Sequence, residues 1–305
     1  MNYKRYLLGL TILLVLATLL VCFMQFQDSK IQVSFKDTNP IPTYQPPDKN
    51  IPLRIVMISV LNYKDTAKYQ RQMAQRIGYL LERPVLVMHR KRYSEINQLL
   101  IKGDADLGLL STGAYCIYSS SNDFKPLVAQ QRHQVPYYYS YVIVSNDSPY
   151  KTLDDLRDKT FAFVDPLSYS GYLSIQEKLR KQNKNAKNYF ELFYFTYSHD
   201  ASINAVLEGQ VDGAVVDSLA YDYVKKHRPD NAAKIKIIET LPPRGTGPIV
   251  ARKYLPNTDK IQQVLLNLHK DPLAREAMEH LMIDRFIIPQ PELYPSIDWR
   301  ELEEK

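Results

Sequence analysis

Ser168 and Ser170 flank a single residue in the run Phe163-Val164-Asp165-Pro166-Leu167-Ser168-Tyr169-Ser170-Gly171-Tyr172, and two hydroxyls so spaced can donate to a small oxyanion. The run reads as a strand ending at Asp-Pro, a small turn, then a helix opened by Gly171 and continued through Ile175-Gln176-Glu177-Lys178-Leu179. A helix start leaves about four backbone N–H groups without intrahelical partners and carries roughly half a positive charge. Gly171 would let a ligand approach the backbone closely. An ordinary Ser N-cap accounts for the same residues, so the neighbouring motifs have to decide.

The second informative run is Tyr197-Ser198-His199-Asp200-Ala201, continuing to Gly209-Gln210-Val211-Asp212-Gly213-Ala214. Ser198 or His199 stands just before a helix, and Val211-Asp212-Gly213-Ala214 turns into a strand. Residues 96–109 echo it, with a helix ending in Lys102-Gly103-Asp104-Ala105-Asp106-Leu107-Gly108. One helix–Gly–Asp–strand unit therefore occurs twice, and a structural explanation suffices for most of it. It does not explain His199.

The elements that must position these residues alternate. Strands are expected at 53–60, 85–89, 107–110, 126–131 and 138–145, with helices at 66–81 and 93–101 and another opened by Ser111-Thr112-Gly113. The alternation restarts with a short helix at 152–156, then strands at 160–164, 192–196 and 213–216 among helices at 171–180, 201–208 and 218–226. Strands at 235–239 and 248–252 and helices at 258–269 and 273–282 close the chain. Such alternation predicts an α/β fold with parallel-type sheets covered on both faces. Two such lobes joined by crossing strands give a hinged cleft, where ligands sit beyond the strand ends. The length of 305 residues agrees with about two domains. The expected organisation is a signal anchor or lipoprotein signal at 1–27 and a Pro-rich linker at 28–52. Lobe 1 follows at 53–142 plus 246–305, and lobe 2 at 143–245.

The net charge of +6 suits a protein that handles anions and is too dispersed to imply nucleic acid. Arg90-Lys91-Arg92, the densest basic cluster, reads as a solvated turn. Lys4 and Arg5 precede a run from 6 to 27 that is uncharged and long enough to cross ~30 Å of hydrocarbon. This predicts an N-terminus inside and the remainder exported, periplasmic or otherwise extracytoplasmic, and tethered to the cell membrane. Either the apolar helix stays as an anchor, or Leu19-Leu20-Val21-Cys22 acts as a lipoprotein signal with Cys22 lipidated. The two cysteines, Cys22 and Cys116, leave the exported part without an internal disulfide, and Cys116 reads as a buried helical residue.

Taken in order, Asp165-Pro166-x-Ser168-x-Ser170-Gly171-Tyr172, Ser198-His199-Asp200 with Gly209-x-Val211-Asp212-Gly213-Ala214, and Pro242-Pro243-x-Gly245-x-Gly247-Pro248 carry a family resemblance. Asp217-Ser218 and Asp284-Arg285-Phe286 add to it. Over nearly all of 53–290 the sequence resembles the PhnD-like phosphate/phosphite/phosphonate-binding proteins of ABC transporters, within the type II periplasmic-binding-protein fold. The resemblance implies that Ser168, Tyr169 and Ser170 donate to phosphoryl oxygens and that His199 is a further contact. Tyr63 and Tyr93 match positions where the family places aromatic residues around the ligand. Ser111 and Thr112 supply a second helix start facing the first, and Asp217 matches an acidic or amide position suited to a ligand amine or protonated oxygen. Tyr169 departs from the Thr of the better-known phosphonate binders; it could still donate through its backbone N–H, but its ring would shrink or reshape the pocket. Leu167 likewise replaces an Asn.

An enzyme is not expected. The six histidines are scattered without metal-ligand spacing, so neither a metal nor a cofactor is implied. There is no Gly-x-Ser-x-Gly elbow and no phosphate loop. Ser168 and His199 could be arranged as nucleophile and base with Asp200 or Asp217 behind them, but paired hydroxyls in a cleft suit binding. The expected partners are a small oxyanion (phosphonate, phosphite or phosphate, with a sulfonate as the alternative), an ABC permease or else a membrane sensor, and the membrane itself through the N-terminal helix or a lipid.

Overall fold

The computed structural model describes residues 51–298 apart from Ser59 and Asn122. The expected anchor at 1–27, Cys22 and nearly all of the 28–52 linker lie outside the described residues. No helix among the described residues is long and apolar enough to cross a membrane.

The first half runs β1 (Leu53–Met57), α1 (Tyr63–Leu80), β2 (Val85–His89), α2 (Tyr93–Ile101), β3 (Leu107–Leu109), α3 (Thr112–Tyr118), β4 (Phe124–Gln131) and β5 (Tyr137–Ser145). Then come β6 (Thr160–Phe163), a π-type turn at Tyr169–Leu173, α4 (Ser174–Arg180), α5 (Ala186–Tyr189), β7 (Leu192–Phe195), α6 (His199–Leu207) and β8 (Gly213–Asp217). The chain continues through α7 (Ser218–His227), α8 (Pro229–Ala233), β9 (Ile235–Gly245), β10 (Ile249–Arg252), α9 (Thr258–Asn267), α10 (Pro272–His280) and β11 (Arg285–Ile287).

These strands form two sheets, ordered β11-β4-β10-β3-β1-β2 and β7-β6-β8-β5-β9. Each contains a parallel trio, β2-β1-β3 in one and β7-β6-β8 in the other. The remaining strands run antiparallel to their neighbours, so each parallel-type core expected from the alternation is completed into a mixed sheet. The reason is connectivity. The chain leaves β4 of one sheet directly for β5 of the other and returns from β9 to β10, and neither passage has a crossover helix to restore strand direction.

Alternation along the strands builds both faces. In β1, Leu53, Ile55 and Met57 face one core, and Val56 faces another. In the second sheet Phe161, Phe163, Val142, Val144 and Val215 share one core, whereas Ala162, Ile143, Ala214 and Val216 share the opposite one. A sheet covered on both sides needs apolar residues at every position, which is why these strands read as continuous hydrophobic runs. β9 was expected to stop at residue 239 but extends through Pro242-Pro243 to Gly245. It is the edge strand of its sheet, where a missing N–H costs no ladder bond.

The repeated helix–Gly–Asp–strand unit has a common structural purpose. Gly103 and Gly209 both sit at positive φ, 76° and 68°, where a left-handed residue ends the helix. The Asp three residues on then anchors the neighbouring strand. Asp106 accepts from the Arg54 backbone N–H at 3.0 Å, and Asp212 accepts from that of Thr160 at 2.9 Å. Around Asp106, Arg54, Arg83 and Arg252 complete an ion-pair cluster. The Tyr294 ring fills the space beside Gly245, where a Cβ would meet it at 2.4 Å, and its hydroxyl donates to the Thr246 carbonyl at 2.7 Å.

Candidate functional site

A cavity of about 30 Å³ opens where the strand ends of the two lobes meet. Tyr93, Ser111, Thr112, Gln130 and Arg132 line it from the β1 side, and Tyr138, Ser168, Ser170, His199 and Asp217 from the β5 side. Thr246 and Gly247 belong to the return passage between β9 and β10. Polar bonds tie the two walls together. The Tyr93 N–H donates to Asp165 Oδ2 at 3.1 Å, Ser111 Oγ to the Leu167 carbonyl at 2.8 Å, and Asn62 Nδ2 to Asp200 Oδ2 at 2.9 Å.

The serine turn combines two roles. Ser168 Oγ accepts from the Gly171 N–H at 3.0 Å, so it is the N-cap of the turn that begins at Tyr169, and it also lines the cavity. Both Ser168 and Ser170 are buried. Gly171 has a different reason from the one expected: a Cβ there would meet Val164 Cβ at 2.5 Å and Ser168 Oγ at 2.9 Å. It is a packing glycine between turn and strand, with no room for a ligand. Two buried phenols stand against these hydroxyls, Tyr93 beside Ser168 and Tyr138 beside Thr112 and Ser170. Burial, reinforced by the carboxylates nearby, raises both phenols well above their ordinary range, so they remain neutral hydrogen-bonding groups.

His199 is the first residue of α6, which Ser198 caps by accepting from the Ala201 N–H. Its Nδ1 accepts the Asp217 backbone N–H at 3.0 Å. A nitrogen that accepts carries no proton, so Nε2 is the protonated, donating nitrogen of the neutral ring. Burial lowers the imidazole pKa to about 3, which keeps that neutral tautomer throughout the physiological range. Asp217 caps α7 through Leu219 N–H at 2.8 Å. Its carboxyl is pushed up to about 7 by burial, against the opposing pull of the capping bond and of Arg132.

Arg132 was absent from the sequence reading. Its Nε donates to Gln130 Oε1 at 2.9 Å and its Nη1 to the carbonyls of Leu281 and Met282; Nη2 also reaches Gln130. All of these acceptors are neutral, and among the described residues no carboxylate pairs with it within 4.0 Å. Burial draws its pKa down to about 10, so the group is a desolvated cation at the cavity wall. Gln130, Tyr138 and Thr246 were missed with it. The one available signal was a Gln-x-Arg at the end of a strand that changes sheets, a place where a solvated turn is the ordinary reading.

The structure gathers Ser168, Ser170, His199, Tyr93, Ser111, Thr112 and Asp217 around one cavity. Two of these have their hydroxyl protons engaged elsewhere, Ser111 on Leu167 and Thr112 on the Gly245 carbonyl at 2.7 Å. They shape the wall and fasten the lobes. Two expected residues keep their side chains away from the cavity lining. Tyr63 opens α1 and is 48 % exposed, edge-on to His89, because the first turn of that helix faces solvent. The Tyr169 side chain points away from the cavity into an apolar cluster. There its hydroxyl donates to Glu177 at 2.9 Å and Arg244 lies over its ring. The ring therefore does not reshape the pocket, and only the backbone of this residue remains near the serine turn. No group of three or more His, Cys, Asp or Glu side chains suited to a metal occurs among the described residues.

The architecture is shared with solved binding proteins. A binding-protein component of an ABC phosphonate transporter from Pseudomonas aeruginosa superposes with a TM-score of 0.74 at 20% identity, over 83% of this chain and 85% of that one. PhnD1 from Prochlorococcus marinus, solved in complex with methylphosphonate, gives 0.72 at 20% identity over 82% and 96% of the two chains. At such identity the likeness establishes the two-lobe periplasmic-binding-protein fold. In sequence, the phosphonates-binding periplasmic protein of Escherichia coli strain K12 is 33% identical over 152 residues. That match spans 48% of this chain and 45% of the relative, a little under half of each. The family described as ABC transporter, phosphonate, periplasmic substrate-binding protein matches residues 55–294, nearly the whole described region, and is a family of binding proteins and not of enzymes. This chain belongs to that family of ABC-transporter phosphonate periplasmic substrate-binding proteins.

Proposed function

We propose that this protein captures a phosphorus oxyanion, a phosphonate, phosphite or phosphate, in the cavity between its lobes and delivers it to an ABC permease. The observation that carries the reading is the pairing of a buried guanidinium, without a carboxylate partner among the described residues, with neutral donors on the opposite wall. Arg132 supplies charge from one lobe, and Ser168, Ser170 and the Nε2–H of His199 supply hydrogen bonds from the other. Charge-assisted bonds of this kind are the strong ones in a desolvated site. Asp217, whose carboxyl is pushed up to about 7, adds a donor for a phosphoryl oxygen while it is protonated. Tethering at the outer membrane face by the apolar segment of 6–27, or by a lipid on Cys22, places the cavity beside such a permease, with 28–52 as the spacer.

Calorimetric titration of the full chain against phosphate, phosphite, methylphosphonate, 2-aminoethylphosphonate and taurine tests the reading. Micromolar or tighter binding of a phosphorus oxyanion, weakened in His199→Ala, is expected. Binding of taurine alone would move the ligand class to sulfonates, and binding of none would remove the capture role.

A further inference from the structure

A second cavity of about 40 Å³ adjoins the first inside the β1 lobe. Val60, Leu109, Gln130 and Arg132 line both. Beyond these shared residues the walls are apolar, with Met57, Met73, Ile249, Ile283 and Phe286 prominent among them. The polar exceptions are occupied by their own chain. Thr66 Oγ1 donates to the Asn62 carbonyl at 2.8 Å, Gln70 Nε2 to the Ile58 carbonyl at 3.2 Å, and Gln70 Oε1 meets His89 Nε2 at 2.8 Å. No carboxylate contacts the guanidinium at the boundary between the two cavities, among the described residues.

A packing gap in a lobe core is ordinarily sealed by apolar neighbours on every side. This one is bounded on one side by a buried cation that also lines the oxyanion cavity. We propose that the second cavity receives the organic substituent of the ligand, a short uncharged alkyl chain, while the phosphorus oxyanion sits against Arg132, His199 and the serines. The inference rests on the proposed function and narrows it. At roughly 10–15 Å³ for each water-sized group, the space takes a chain of about three carbons. An ammonium at the end of that chain would be stripped of water, without a carboxylate partner, in the same cavity as the Arg132 guanidinium. Alkylphosphonates are therefore favoured over aminoalkylphosphonates of equal size.

The test is titration of the full chain with methyl-, ethyl-, n-propyl- and 2-aminoethylphosphonate. The last two match in length and differ chiefly in charge. Each methylene buried should tighten binding about fourfold, hence about fifteenfold from methyl to propyl, with 2-aminoethylphosphonate at least tenfold weaker than propyl. Ile283→Phe fills the second cavity and should bring the propyl-to-methyl ratio close to one. Met73→Ala enlarges it and should move the optimum to butyl or longer, which keeps the test alive if the larger side chain prevents folding. Methylphosphonate binding as tightly as propyl, or 2-aminoethylphosphonate binding best, overturns the inference and leaves oxyanion capture standing. Binding of no phosphorus oxyanion at all overturns both.

Discussion

The backbone N–H of Asp217 donates to Nδ1 of His199, and this one bond determines how the imidazole can act. It assigns the proton to Nε2, on a ring that lines the cavity and stays neutral because burial lowers its pKa to about 3. His199→Asn keeps an acceptor near the Asp217 amide but does not reach as far, so oxyanion binding should weaken by ~1.5–3 kcal/mol in calorimetry. The acid limb of stability should change as well. A depressed folded-state pKa gives stability that is present above the unfolded value of 6.5 and lost as pH falls from there towards about 3. Thermal melts of the wild type should thus decline more steeply below pH 6.5 than those of the variant.

Asp217 carries the opposite sign. Its carboxyl is raised from 3.8 to about 7, so its contribution is complete below pH 3.8 and lost as pH rises through about 7. Asp217→Asn retains a good N-cap for α7. It should be indistinguishable in melting temperature from the wild type near pH 3.5 and more stable at pH 8. Affinity should follow. The ratio of wild-type to variant dissociation constants for methylphosphonate should grow between pH 6 and pH 8, as a negative charge forms beside the anion. A flat ratio would mean that Asp217 does not face the ligand.

Arg132→Met removes the only guanidinium among the described residues that line the interlobe cavity while keeping a side chain of similar length. Methylphosphonate affinity should fall by ~2–3 kcal/mol, since a charged hydrogen-bond donor is lost from a desolvated site. Arg132→Lys should recover part of it. An affinity unchanged in Arg132→Met, measured by the same titration, would place the cation outside the site.

Ser170 and Ser111 both line the cavity, yet their substitutions should separate. Ser111 donates its proton to Leu167 across the lobes and caps α3, so Ser111→Ala should lower the melting temperature, at a cost of about 1 kcal/mol. Ser170→Ala should instead weaken oxyanion binding by ~1.5–3 kcal/mol with little change in melting.

Tyr169→Phe deletes a hydroxyl bonded to Glu177. Stability should fall by about 0.5–1.5 kcal/mol with affinity kept within twofold. A large loss of affinity would return this side chain to the pocket, against its placement beside Arg244.

Much of the site was legible because it is made of local motifs. Ser168 and Ser170 share one turn, His199 starts a helix behind a capping Ser198, and Asp217 ends a strand and caps the next helix. Each is a strand-to-helix junction, which short-range spacing reveals. Arg132, Gln130, Tyr138 and Thr246 sit on the passages between sheets, and their convergence depends on pairings more than 100 residues apart, such as β4 with β10, which leave no periodicity in the sequence. The side chains of Tyr63 and Tyr169 lie off the cavity lining for another reason. Residue type and position were right for a ligand contact, but the direction of each side chain is set by its surroundings, solvent for the first and the Glu177–Arg244 pair for the second. The strand expected at 235–239 runs on to Gly245 through Pro242-Pro243, because an edge position that tolerates proline cannot be seen without the sheet.

Tyr294 stands far along the chain from the cavity residues, yet its ring packs on Gly245 and its hydroxyl holds Thr246, the residue whose own hydroxyl bonds to the Gln130 carbonyl on the cavity wall. The exposed residue two places earlier, Glu292, is therefore mechanically linked to the lobe-crossing passage without touching the ligand. A fluorophore attached there through Glu292→Cys, with Cys116 sheltered in the interior and Cys22 replaced by Ser, would turn the protein into an optical reporter of its own occupancy.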